Sequence, residues 1–134
     1  MTMQYQNTPK EKFTVITLLD SILSSKLVPE ITALTQEILG KNPKSLVLNC
    51  AKVTEWDLPV IEALVNAQQA FYDNNASFVI CELSDRLQDT LDSTDFAEMM
   101  NCTPTESEAW DIVQMEEIER ELLDSDDMEF SVQE

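Results

Sequence analysis

The 134-residue chain has no histidine and a single glycine, Gly40. Without histidine, the usual zinc ligand sets and any Ser-His or Cys-His catalytic pair are excluded. With one glycine, there is no phosphate-cradling loop and no nucleophile elbow. Cations are equally scarce: 8 Lys+Arg stand against 26 Asp+Glu, a net charge of −18. Such a surface repels phosphate backbones and anionic lipid, which argues against nucleic-acid or direct membrane binding and suits either solubility alone or a basic protein partner. The three cysteines form no CxxC pair, and Cys50 and Cys81 lie in apolar, strand-like runs. All three read as reduced, buried, small hydrophobes. No run reaches the roughly 20 apolar residues that span a bilayer, and Met1 to Tyr5 carries no leader-like apolar run, so a cytoplasmic protein is expected.

What is present suffices for a packed core. Hydrophobic residues make up 43% of the chain, and the length suits one domain. Met3 to Gln6 is a weak strand candidate closed by a turn at Asn7-Thr8-Pro9-Lys10. Phe13 to Leu19, β-branched and apolar, reads as a second strand that can pair with the first as a hairpin. Asp20 to Ser25 reads as a loop. A helix follows from Lys26–Val28, since Pro29 fits only a first turn; it carries Ile31, Leu34 and Ile38 on one face and stops at Gly40.

Leu46 to Cys50 is apolar on both faces, as a central parallel strand should be. A helix from Leu58 places Ile61, Leu64, Val65, Ala67 and Phe71 at three- and four-residue spacing and ends near Asp73-Asn74-Asn75, where asparagine can take the left-handed conformation. Phe78 to Cys81 is the next strand. Ser84 caps a short helix with Leu87 and Leu91, and Met99 to Cys102 is a marginal last strand. Thr105 to Glu108 forms a capping box for a final helix through Trp110, Val113, Ile118 and Leu122. The order is ββαβαβαβα, an α/β fold with a mostly parallel sheet. Residues 1–123 are expected to form the domain and 124–134 a polar, acidic, disordered tail.

The order and spacing from Met3 to Leu122 resemble the STAS domain, the family of anti-sigma factor antagonists and of cytoplasmic domains of sulfate transporters. Leu46-Val47-Leu48-Asn49 is similar to the family's central strand, Val53 to Asp57 to the approach, and Asp57-Leu58-Pro59-Val60-Ile61 occupies the signature turn, commonly Asp-Ser-Ser/Thr-Gly-Leu. Cys81-Glu82-Leu83-Ser84, with Leu87 and Leu91, is similar to the following strand and helix. Pro59 stands at the phosphoacceptor position, Leu58 replaces the preceding serine and Val60 the glycine. A proline has no hydroxyl, so the family's kinase switch cannot act there. Asp20 and Leu23 are the nearest counterparts of a Gly and an Asp in the family's other partner loop.

The resemblance implies a non-enzymatic regulator that docks an anti-sigma factor or a histidine-kinase-like protein, as a monomer or weak dimer and without a cofactor. The alternative is a soluble accessory subunit of a membrane transporter, such as a lipid-transport ATPase complex. The candidate partner-binding residues are Asp20, Ser21, Ser24, Trp56, Asp57, Leu58, Pro59 and Glu62. Asp57 reads as a helix N-cap or as a carboxylate that fits a partner, and Trp56 as core or as an interface anchor. A phosphoaspartate site at Asp57 lacks its cage of carboxylates, with only Lys52 near. Ser21, Ser24, Ser25 and Thr54 are hydroxyls near the turn and candidate substitute phosphosites, set against the usual role of loop hydroxyls in satisfying backbone groups. Asp124, Asp126 and Asp127 lack the spacing of a calcium loop. The amphipathic stretch Met115–Leu123 reads as the end of a helix that is more often a docked terminal helix than a partner site.

Overall fold

A computed structural model describes residues 3–41 and 44–129, with 124–129 described as backbone. Five strands form the main sheet in the order β1-β2-β4-β6-β7: β1 (Tyr5–Pro9), β2 (Phe13–Leu18), β4 (Ser45–Asn49), β6 (Phe78–Cys81) and β7 (Cys102–Thr103). β1 runs antiparallel to β2, and the remaining three pairings are parallel. Between them lie β3 (Ile22–Leu23), α1 (Val28–Leu39), β5 (Glu55–Trp56), α2 (Leu58–Asp73) and α3 (Asp85–Asp92), and the chain closes with α4 (Glu106–Glu129). The expected α/β architecture and helix order are present. The two additions are β3 and β5, which pair with each other as a separate parallel ribbon.

Strand alternation divides the side chains between two faces. Ile16, Leu18, Leu46, Leu48, Phe78 and Ile80 pack under the buried stripes of α1, α2 and α3. Phe13, Val15, Val47, Val79 and Cys81 face the other way, onto Ala109 and Val113 of α4. Three helices therefore cover one face and one helix the other. Phe71 of α2 stacks on Phe78 with ring centroids 5.1 Å apart. Among the described residues, no helix is long and apolar enough to cross a membrane.

Several boundaries depart from the sequence reading. Asn7, Thr8 and Pro9 belong to β1, and the turn is tighter, closed by the Lys10 amide donating to the Phe13 carbonyl at 2.7 Å. Pro9 is tolerated because β1 is an edge strand, where a missing N–H leaves no ladder bond unmade. The last strand is Cys102–Thr103 rather than Met99–Cys102, because a 3₁₀ turn occupies Ala97–Met99. Helix α4 continues past Leu123 to Glu129, beyond the expected domain boundary, and 130–134 lie outside the described residues.

Gly40 follows α1, as expected, but with φ −83°, so this stop does not use glycine's left-handed freedom. Left-handed backbone falls instead at Asn75 (φ 59°) and Glu82 (φ 61°). A Cβ on Gly40 would meet the Glu37 and Gln36 carbonyl oxygens at 3.5 and 3.7 Å, ordinary van der Waals contacts. Gly40→Ala should therefore raise stability by about 0.5 kcal/mol by restricting the unfolded chain. Asn75→Val should lower it by about 1–2 kcal/mol, since a β-branched residue is strained at that φ. Urea unfolding of both variants checks the pair, and a stabilised Asn75→Val would contradict it.

Candidate functional site

The site is built where β2 and β4 end and the chain crosses to α2. A tight turn, with the Val53 amide bonded to the Cys50 carbonyl at 3.0 Å, buries Val53 and sends the chain sideways out of the sheet. There it meets the segment that leaves β2. The Ser21 carbonyl accepts from the Thr54 amide at 2.7 Å and the Thr54 hydroxyl at 3.0 Å. The Leu23 carbonyl accepts from the Asp57 amide at 3.1 Å. Ile22 pairs with Glu55 and Leu23 with Trp56. The two loops named from the sequence thus form one rim.

Asp57 sits at the N-cap of α2 with extended backbone, yet its side chain does not cap that helix. Its Oδ2 instead accepts from the Ser25 amide at 3.0 Å, across 32 positions of sequence. The carbonyl of Asp57 receives the first helical amides, Val60 at 3.0 Å and Ile61 at 3.2 Å. Pro59 lies in the first turn, where amide donors have no intrahelical partner, so a residue without an N–H is accommodated.

Alternation along the two-residue strands decides what is presented. Leu23 and Trp56 point into the core, and Ile22 is 53% exposed. Trp56 is buried, with no hydrogen-bond partner for its indole N–H among the described residues. Of its two readings, core and interface anchor, the structure gives the first: Trp56 supports the rim from beneath, and the apolar residues turned outward are Ile22, Leu58 and Pro59. Leu58 is 48% exposed, and Pro59 and Glu62 are exposed beside it. Glu55, half-buried, pairs with Arg86 of α3 at 3.0 Å. Pro59 and Glu62 also line an open groove of about 340 Å³ between α1 and α2, with Val28, Thr35, Ala63 and Ala67 along its floor.

The remaining candidates divide. Ser21 is exposed on the rim and Ser24 is half-buried. Asp20 stands to one side, accepting from the Gln4 amide at 3.0 Å and so fastening the start of β1. Ser84 caps α3 as expected, accepting from the Leu87 amide at 3.2 Å. Sequence reasoning missed Ile22 and Arg86. The only signal for Ile22 was the apolar pair Ile22-Leu23 between Ser21 and Ser24, inside a stretch read as loop. Among the described residues, no three Cys, Asp or Glu side chains are grouped so as to hold a metal ion.

The thiols are chemically quiet. Burial pushes all three up from the ordinary 9.0, Cys81 to about 12 and Cys102 to about 11, with neighbouring carboxylates adding to both.

Asp57→Ala should lower stability by up to about 1 kcal/mol, the net worth of one exposed charge-assisted bond to an amide. Chemical denaturation reads this, and an unchanged midpoint would show that the Ser25 contact contributes nothing. Because the folded thiols hold their protons above the pKa of the unfolded chain, their contribution to stability is complete below about pH 9 and is lost as pH rises toward 11–12. Maleimide labelling at pH 8 should accordingly be about a hundredfold slower for the native chain than in urea. Equal rates would contradict the burial.

The geometry can be set beside known proteins. Among curated protein sequences no match is found. Among solved structures, a putative anti-sigma factor antagonist from Thermotoga maritima superposes with a TM-score of 0.68 at 18% identity, covering 84% of this chain and 94% of that one. An anti-sigma-factor antagonist (STAS) domain protein from Planctomyces limnophilus gives 0.66 at 21% identity, over 78% and 92%. A murine solute carrier 26 family anion transporter gives 0.61 at 14% identity, over 81% of this chain and 18% of that much longer one. At these identities the likeness concerns the fold. The family itself is shown by sequence: the STAS domain model matches residues 6–109, and the chain belongs to the STAS domain family.

Proposed function

We propose that this protein is a non-enzymatic regulator that docks a protein partner through the rim formed by Ser21–Ser25 and Trp56–Glu62. The observation that carries the reading is the clamped ribbon: two paired backbone segments and the Asp57–Ser25 bond hold Ile22, Leu58 and Pro59 outward as one apolar patch. A preorganised patch loses little conformational freedom on binding. Asp57 and Glu62 give it an acidic flank, Glu55 being paired with Arg86, which suits a partner with an apolar contact and a basic border. Asp20 acts by fastening the loop to the start of β1 through the Gln4 amide, and Ser24 lies half-buried within the loop.

By family, the partner is an anti-sigma factor or related histidine-kinase-like regulator, met in the cytoplasm by a monomeric or weakly dimeric domain that includes all of α4. Pro59 stands where the family's hydroxyl would be, so docking is constitutive and set by the amount of protein rather than by phosphorylation at that position. The absence of histidine and of any glycine-rich loop supports a binding role over catalysis. A second reading, an accessory subunit of a membrane transporter, is favoured by the fold likeness to the murine transporter and to a sulfate transporter family protein from Wolinella succinogenes, the latter at a TM-score of 0.68 and 15% identity. The same rim serves either partner.

The two readings are separated by titrating the purified chain with the kinase-like regulators and with the transporter ATPase subunits of its own genome. One class should bind. Ile22→Asp combined with Leu58→Asp should weaken that binding by at least about tenfold, because each places a charge in a desolvated contact. Both sites are solvent-facing, so thermal unfolding should change little. Undiminished affinity would remove the rim as the docking surface.

A further inference from the structure

The outer face of α4 carries an apolar stripe that the fold leaves uncovered. Early in the helix the inner side is conventional, with Ala109 and Val113 buried against the sheet. One turn later it becomes polar. The Ser77 hydroxyl donates to Glu116, and the Ser45 hydroxyl donates to Glu117. Arg120 donates to Ser77 Oγ at 2.8 Å and to Glu117 Oε2 at 3.0 Å. Ser45 and Ser77 lie at the starts of β4 and β6, so the sheet ends there in hydroxyls, and the carboxylates of α4 turn inward to meet them.

The consequence is that the apolar residues of the same stretch face away. Met115, Ile118 and Leu122 are 55%, 45% and 61% exposed. At about 100° per residue their centre lies roughly half a turn from that of Ala109, Val113 and Arg120. The end of α4 is thus docked as a terminal helix, but through its polar residues rather than its apolar side. That side faces solvent, on a helix packed against the sheet face opposite to α2.

The charges beside the stripe say what can cover it. Asp111 and Glu119 are exposed and, among the described residues, have no cation within ion-pair distance. The nearby cations are already engaged: Arg120 is turned to the sheet, and Lys12 pairs with Glu121 at 2.8 Å. A second copy of a chain with net charge −18 would set like charges against these carboxylates. Anionic lipid would be repelled for the same reason. We infer that the outer face of α4 docks an amphipathic helix of a protein partner, one whose apolar ridge is bordered by Lys and Arg. This surface is separate from the rim, and both can be occupied at once.

The test uses the full chain and a labelled synthetic peptide of about eighteen residues, five helical turns, with Leu at three- and four-residue spacing and Lys elsewhere. A scrambled peptide of the same composition controls for charge. Fluorescence anisotropy should show saturable binding of the patterned peptide, at least about tenfold weaker for the scrambled one and for the double variant Ile118→Ser, Leu122→Ser. Ile22→Asp with Leu58→Asp should leave peptide binding unchanged, which separates failure here from failure of the rim. Equal binding of both peptides would mean charge alone is read, and the inference falls. It falls also if the serine variant binds equally well, or if sedimentation shows a dimer of the native chain that the serine variant dissolves, since a second copy would then be the occupant.

Discussion

Everything at the rim depends on one short piece of backbone pairing, the parallel ribbon of Ile22–Leu23 with Glu55–Trp56. Two residues per strand are too few to persist alone. They persist here because Leu23 and Trp56 are buried in the core beneath, and because Asp57 bonds across to Ser25 at one end while Thr54 bonds to Ser21 at the other. The same pairing solves a steric problem. β2 and β4 are neighbours in the sheet, so the segments leaving them emerge side by side, and their polar groups must find partners. Pairing with each other supplies those partners and, through alternation, turns Ile22 outward.

A related economy governs the far face of the sheet. A single helix must cover the five-stranded face that three helices cover on the other side. It does so with apolar contacts at Ala109 and Val113 and with polar contacts beyond them, where the Ser45 and Ser77 hydroxyls receive carboxylates. At the N-terminus of α4, the Glu106 amide donates to Glu82 at 2.9 Å, while the Glu106 side chain accepts from Asn49 at 2.7 Å and from the Trp110 indole at 2.9 Å. Glu82 reaches that amide from left-handed backbone, satisfying a first-turn donor beside the one that Thr105 Oγ1 caps, the Glu108 amide at 3.2 Å. The polar residues holding α4 down are the reason its apolar residues face solvent.

Much of this was legible in the residues. The spacing of Ile61, Leu64, Ala67 and Phe71 located α2, and the apolar runs Leu46–Cys50 and Phe78–Cys81 located the central strands, because burial on one or both faces leaves a periodic trace. β3 and β5 were not legible, since two residues have no period and their pairing is decided by where β2 and β4 happen to end. Asp57 shows the limit of a local rule: its type and position name it an N-cap, yet a donor 32 residues away takes its carboxylate. For α4 the period was readable but the side facing the sheet was not, because that choice rests on the hydroxyls of Ser45 and Ser77, just outside the apolar runs that located the strands. Trp56 was open between core and interface, and only its neighbours in space place it inside.

The account stands on the rim behaving as one mechanical unit. Native-state hydrogen exchange at the Ser25, Thr54 and Asp57 amides tests this most directly. The three should open together, with matching free energies and a shared dependence on denaturant, and removal of the Asp57 carboxylate should speed all three. Exchange at Ser25 that is fast and independent of the other two would show loops that merely lie near one another, and the preorganised surface would be lost with it.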